Sequence, residues 1–315
     1  MRDQWGRMID YLRISVTPAC NLGCIYCATP AGPPVITTRT MTVVEIEAVT
    51  RVMAGLGIRK VRLTGGEPLC RPEIAAIVSQ VAGVPGITDL AMTTNGTMLA
   101  EVLPDLVRAG LQRVNISLDS LRAERYAAIT AGGRLTDVWE GIETVLKAGL
   151  KPLRLNMVLI RGVNDDEVAD FVELARADPV EVRFIELMPI GCYGTEHFGQ
   201  TLSEESIFAA HPELKPIAAS SGPARYYTAA GFRGRVGLIS ALSHQFCESC
   251  NRIRLTADGW IKPCLGNNQE INLMPFLGHP GSLQQEIIKA IWAKPAGHRF
   301  GRDYQASRSM TATGG

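Results

Sequence analysis

Net charge is almost absent from this sequence. Its 32 Lys and Arg are balanced by 31 Asp and Glu over 315 residues, leaving a formal charge of +1. No global field therefore draws the chain to nucleic acid or a membrane surface, and any anion site has to be assembled from locally grouped cations. Long apolar runs are missing too. None approaches the roughly 18 residues of a membrane span, and the opening stretch MRDQWGRMID is charged, without the apolar centre of a signal peptide. A soluble, cytoplasmic protein is expected, with neither nucleic acid nor membrane as a partner. Repeats and low-complexity segments do not occur. Cysteine, by contrast, appears eight times. In a reducing compartment such thiols read as metal or redox ligands rather than as a disulfide framework.

Strand-like runs alternate with helical patterns: YLRISV from residue 11, KVRLT from 60, ITDLAMT from 87, RVNISL from 113, PLRLNMVLI from 152 and EVRFIEL from 181. Each is followed by a candidate helix. Thr42 with Glu45 forms a capping signature ahead of Ile46, Val49 and Met53, and Asn164 with Glu167 repeats it. This rhythm argues for a parallel sheet covered by helices. Alternation along the strands selects the shape, because successive side chains point to opposite faces. Arg13 and Ser15, Lys60 and Arg62, Asn115 and Ser117, Arg154 and Asn156, and Arg183 share one face, while Leu12, Ile14, Val61, Leu63, Val114, Ile116, Leu155 and Phe184 share the other. An open doubly wound sheet buries both faces and reads as continuously apolar. The expectation is instead an α/β incomplete barrel with a basic, wet lumen, fit for a polyanion. The rhythm breaks near residue 213, at the Pro-rich HPELKPIAASSGPARYY. A division into residues 1–212 and a smaller unit of 213–315 is expected there.

Two cysteine sets remain. Cys20, Cys24 and Cys27 follow the first strand with three and two residues between them, and Cys247, Cys250 and Cys264 lie late in FCESCNRIRLTADGWIKPC. Neither set has an obvious fourth ligand. Structural zinc takes four, whereas three thiolates suit a four-iron cluster that keeps one iron open for a substrate or cofactor. Buried apolar thiols are the plain alternative, and Cys70 and Cys192, which fit no ligand pattern, are read that way.

The first set, with the aromatic Tyr26 before its last cysteine, resembles the signature of the radical S-adenosylmethionine superfamily. TGGEP at 64–68, TTNG at 93–96 and SLD at 117–119 resemble its cofactor-contacting stretches and fall at strand ends, the rim where barrel enzymes keep their active sites. The order of LRISVTPACNLGCIYC, KVRLTGGEPL, TTNG, NISLD, VRFIELMP, CNRIRLTADG and a terminal Gly-Gly resembles the GTP 3',8-cyclases of molybdenum cofactor biosynthesis across almost the whole chain. The resemblance implies a (βα)6 partial barrel, two [4Fe-4S] clusters on the two cysteine sets, and S-adenosyl-L-methionine contacted by Tyr26, Gly65, Gly66, Glu67, Thr93, Thr94, Ser117 and Met188. It implies GTP held by Arg13, Lys60, Arg62, Arg154, Arg183, Arg252 and Arg254, with Arg154 standing where Lys is expected, and catalytic parts for Arg252, Arg254, Gly314 and Gly315.

The implied reaction begins with a 5'-deoxyadenosyl radical, which takes hydrogen from C3' of GTP; C3' then closes onto C8 to give (8S)-3',8-cyclo-7,8-dihydroguanosine 5'-triphosphate. An electron donor of flavodoxin or ferredoxin type, a downstream cyclic pyranopterin monophosphate synthase and a homodimer belong to the same expectation. Two departures stand out: ATPAGPPVITTRT is short for the lid after the first set, and LGNNQEINLMPFLG lacks an expected Arg. A peptide-modifying radical enzyme is the rival reading, and it calls for an acidic or open groove and a fourth auxiliary cysteine.

Overall fold

The computed structural model describes residues 1–27, 39–200, 202, 204–217, 222–301 and 304–314. Strands β1 (Tyr11–Ser15), β2 (Lys60–Thr64), β3 (Asp89–Thr94), β4 (Arg113–Ser117), β5 (Leu153–Leu159) and β6 (Val180–Glu186) run parallel in sequence order. Helices α1 (Val43–Gly55), α2 (Ile74–Ala82), α3 (Leu99–Arg108), α4 (Ala123–Thr130), α5 (Leu135–Lys147) and α6 (Val168–Ala177) cover them. Leu12, Ile14, Val61, Leu63, Val114, Ile116, Leu155 and Phe184 are buried beneath helix residues such as Ile46, Met53, Val138 and Phe171. That apolar layer orients the strands, so the polar face is left to the concave side.

Beyond two short helices, α7 (Gly191–Glu196) and α8 (Glu204–Ala210), the later strands are β7 (Lys215–Pro216), β8 (Arg225–Thr228), β9 (Arg235–Ile239), β10 (Arg252–Leu255), β11 (Trp260–Lys262) and β12 (Ile271–Asn272). They join the same sheet, at both of its edges. The order is β12-β11-β10-β1-β2-β3-β4-β5-β6-β9-β8-β7, with β9 parallel to β6 and β10 parallel to β1. Residues after 213 thus widen the arc from both sides, and the sheet stays open. Helix α9 (Pro280–Trp292) packs against α1, and the one-turn α10 (Met310–Thr313) lies against β1.

Thr42 caps α1 as expected, with Glu45 Oε2 accepting from the Thr42 N–H at 2.8 Å. The second capping signature does not form. Asn164 instead accepts from the Ile160 N–H and donates to the carbonyls of Asp119 and Val158, each at 2.9 Å, while Glu167 accepts from Ser120 Oγ and the Leu121 N–H. Both side chains are fully buried, and they serve the loop after β4 rather than a helix start.

Candidate active site

The basic face of the sheet lines a cavity of about 720 Å³ that reaches both cysteine sets, a size usual for small-molecule sites. Strand register sets up its floor. Arg13 is flanked by Arg62 on β2 and Arg254 on β10, so three guanidinium groups stand side by side. Burial first, then Arg254, pushes Arg13 well below the usual range, and burial together with Arg252 pushes Arg254 down to about 10. Burial also lowers Arg183 to about 10. Crowded, dehydrated cations of this kind are relieved by an anion.

The expected cations differ in their neighbours. Lys60 lies 3.2 Å from Asp10. Arg62 donates to the Tyr11 hydroxyl and to Thr93 Oγ1. Arg183 donates to Asn156 Oδ1 from two nitrogens. Arg154 is bound to Glu181 at 2.6 Å, and the same carboxylate accepts from Arg235 and from the Tyr226 hydroxyl. Glu181, Arg235 and Tyr226 were missed in the sequence. Glu181 had a signal, since it stands two residues before Arg183 and therefore on the same face.

At the C-terminal ends of the strands lies the first cysteine set. The loop that carries it is stitched to β2: Gly66 N–H donates to the Thr17 carbonyl and Glu67 N–H to that of Ala19, both at 2.7 Å. A Cβ on Gly65 would stand 2.5 Å from the Thr17 oxygen, and one on Gly66 would stand 2.3 Å from the Ala19 oxygen. Only glycine permits that approach. Glu67 is buried and accepts from Leu69 N–H, Thr94 Oγ1 and Asn95 N–H, while burial pushes it up to about 7. Glu67 and Thr94 therefore bond each other and tie the β2 and β3 loops together. Tyr26 donates to Asp119 Oδ2 at 2.6 Å, and Asp119, which also accepts from Val158 N–H, is raised by burial to about 6. Cys27 is raised to about 12 by burial, Cys20 and Asp119, and Cys24 also moves up through burial and Asp119. Thr93, Ser117 and Met188 line the cavity nearby.

At the opposite end, Cys250 accepts from Arg252 Nη2 at 3.6 Å. Burial would raise this thiol, but Arg252 and Lys294 outweigh it and bring it down to about 6. Lys294 is 2% exposed and donates to the carbonyls of Arg252 and Pro263, each at 2.8 Å. Arg7 holds the carbonyls of Cys247, Pro295 and Ala296. No sequence signal pointed to either residue. Cys264 also lines the cavity. Among the described residues no three His, Cys, Asp or Glu side chains converge closely enough to hold one metal ion.

The last described segment reaches this cavity, where Met310 and Thr311 line it. Thr313 and Gly314 are buried, and the Gly314 carbonyl accepts from Arg254 Nη1. Gly314 has φ +77°, and a Cβ there would lie 2.1 Å from Thr64 Oγ1. Gly315, and residues 28–38 of the short lid segment, lie outside the described residues. Cys70 sits 3.8 Å from Asn21 Oδ1 beside the first set, and Cys192 is exposed on α7.

Residues 14–175 match the Radical SAM superfamily, and residues 180–300 match Molybdenum Cofactor Synthesis C. The GTP 3',8-cyclase of Heliobacterium modesticaldum is 48% identical over 95% of both chains, and that of Moorella thermoacetica is 43% identical over the full length of both. The chain belongs to the GTP 3',8-cyclase family. Among solved structures, SuiB of Streptococcus suis bound to S-adenosylmethionine superposes with a TM-score of 0.62 over 92% of this chain and 67% of that one, at 13% identity. The enzyme anSMEcpe with bound AdoMet gives 0.57 over 92% and 82%, at 14% identity. These likenesses concern the fold: both structures share the open α/β arc that carries the cyclase-family motifs here. No helix among the described residues is long and apolar enough to cross a membrane.

Proposed function

We propose that this chain converts GTP to (8S)-3',8-cyclo-7,8-dihydroguanosine 5'-triphosphate, the first step of molybdenum cofactor biosynthesis. The observation that carries the reading is one cavity with a three-thiol set at each end and the row Arg62, Arg13 and Arg254 between them. Donor chemistry fits the groups the family implies: each set offers thiols alone, the ligand type of iron-sulfur clusters. Cys20, Cys24 and Cys27 would hold one [4Fe-4S] cluster and Cys247, Cys250 and Cys264 a second. When bound, the first cluster and S-adenosyl-L-methionine supply the radical that removes hydrogen from the GTP ribose.

The protein's own work is orientation and exclusion of water. Backbone at Gly65 and Gly66, with Tyr26, Thr93, Ser117 and Met188, would seat S-adenosylmethionine. Glu67 and Thr94 serve that seat by fixing two loops. Lys60, Arg62, Arg154 and Arg183 would hold the triphosphate, joined by Arg13. Arg252 and Arg254 stand at the guanine end, ready to donate hydrogen bonds to the base. The labour divides near residue 213: the earlier part carries the radical chemistry, the later part the second cluster and the tail. A cytoplasmic setting, a flavodoxin- or ferredoxin-type donor, a following cyclic pyranopterin monophosphate synthase and a homodimer complete the proposal. Anaerobic reconstitution, addition of reductant, GTP and S-adenosylmethionine, and identification of the nucleotide product test it. Reductive cleavage of S-adenosylmethionine with GTP left unchanged would overturn the substrate assignment.

A further inference from the structure

The tail that reaches Arg254 is held at its root by an ion-pair network that no function so far described uses. Arg308 Nε donates to Glu270 Oε2 at 2.8 Å, and its Nη1 donates to both Asp258 oxygens at 3.1 and 2.9 Å. The guanidinium lies 5.5 Å from the Trp260 ring centroid. All three charged side chains are mostly covered, at 15% exposure for Arg308 and 18% for each carboxylate. An exposed pair would be worth little; a covered arginine shared by two carboxylates and an aromatic face is a stronger tether.

Topology gives the tether a purpose. Asp258 and Trp260 belong to the turn and second strand of the β10–β11 hairpin, whose first strand carries Arg252 and Arg254. Asp258 and Trp260 of the anchor thus share one hairpin with the target, and Glu270 precedes the next strand, β12. Between Arg308 and Gly314 the chain forms a compact hook: Ser309 Oγ caps α10 through Ala312 N–H, and Gly314 N–H closes the turn on the Met310 carbonyl. Upstream, the Tyr304 hydroxyl donates to the Leu265 carbonyl and Ser307 N–H to Asn268 Oδ1, both neutral contacts.

We infer that Arg308 is a positioning residue that docks the C-terminal hook in the active site, with Asp258, Glu270 and Trp260 as its receptor. By fixing the root of the hook, it raises the effective concentration of the last residues at Arg254, as any short tether does. The inference rests on reading the tail as part of the active site.

The test uses full-length, anaerobically reconstituted enzyme with Arg308→Ala, Arg308→Lys, or Asp258→Asn combined with Glu270→Gln. Arg308→Ala should keep its iron and its rate of 5'-deoxyadenosine formation. It should lose about tenfold or more in cyclised nucleotide per 5'-deoxyadenosine, the scale of a lost charge-assisted contact. Carboxypeptidase should release its terminal residues faster by a similar factor, Arg308→Lys should fall between, and the double variant should match Arg308→Ala. A synthetic SRSMTATGG peptide should restore coupling to Arg308→Ala at about tenfold lower concentration than SASMTATGG. Equal potency of the two peptides, or unchanged carboxypeptidase protection in both variants, overturns the anchor. If removing Gly314 and Gly315 leaves cyclisation at the full rate, the reading of the tail fails, and carboxypeptidase protection alone still decides whether Arg308 docks it.

Discussion

The two ends of the cavity present the same ligands in opposite surroundings. At the C-terminal rim, burial pushes Cys20, Cys24 and Cys27 upward, and the buried carboxyl groups nearby add to it, Glu67 at Cys20 and Asp119 at Cys24 and Cys27. At the N-terminal rim, Arg252 and Lys294 overcome burial and bring Cys250 down to about 6, while burial still raises Cys264. Ligand identity alone does not set the properties of an iron-sulfur site; net charge and hydrogen bonds around the sulfurs tune it. Acidic neighbours disfavour added negative charge and suit a centre that gives its electron away. Cationic neighbours favour negative charge and suit a centre that holds an electron-rich ligand. The contrast predicts a division of labour that mutation can break.

The largest expected effect separates the ends outright. Wild-type protein reconstituted without oxygen should carry about eight irons, four per cluster. Cys24→Ala should lose about half of them and all S-adenosylmethionine cleavage; Cys250→Ala should also lose about half, yet keep cleavage uncoupled from nucleotide cyclisation. Iron near four in the wild type would remove the second centre from the comparison.

Next in size is Lys294→Met. It removes the cation beside Cys250 and leaves the carbonyls of Arg252 and Pro263 without their donor. An orphaned buried acceptor costs about 1–3 kcal/mol, so thermal unfolding should show a loss of several kcal/mol. Iron should fall at the second set alone, and the reduction potential read by titration should become more negative there. An unchanged potential would sever the link between Lys294 and that site.

What the sequence made legible follows the same divide. The six parallel strands and their basic face were readable because alternation is a local property: Arg13, Arg62 and Arg183 are on the cavity side for the same reason that Leu12 and Leu63 are in the core. The first cysteine set and TGGEP were readable because ligands and glycines are close in sequence. Lys294, Arg7 and Arg308 were not. Each acts through partners tens to hundreds of residues away, and a buried lysine or arginine gives no periodic signal. Asn164 and Glu167 show the converse failure, a local capping pattern overruled by distant acceptors and donors.

A smaller effect tests the floor between the ends. Lys60→Ala and Arg154→Ala should weaken GTP more than guanosine, by about 1.5–3 kcal/mol for each lost charge-assisted phosphate contact. Arg154 shares Glu181 with Arg235, so its removal leaves that carboxylate with one cation fewer beside the phosphate. It should therefore cost more than Lys60, whose pair with Asp10 is longer at 3.2 Å. Titration with both ligands checks the order, and equal losses for GTP and guanosine would displace the triphosphate from these residues.

The smallest effect concerns the acidic end and is read as stability against pH. Glu67 has a folded-state value near 7 against an ordinary value of 4.5, because burial disfavours its charge. The folded state therefore binds more protons than the unfolded one between those values, and stability falls as pH rises through them. The contribution is fully present below about pH 4.5 and is lost as pH climbs through about 7. Between about pH 6 and pH 8 the loss should be about 1 kcal/mol, and Asp119, raised to about 6 by burial, adds to it with the same sign. Anaerobic denaturant unfolding of the cluster-free protein measures the slope. Glu67→Gln should flatten it and lower stability at acid pH, because an amide nitrogen in place of Oε2 cannot accept from Asn95 N–H. A slope that survives the substitution would show that the acidic character of this rim comes from Asp119 alone.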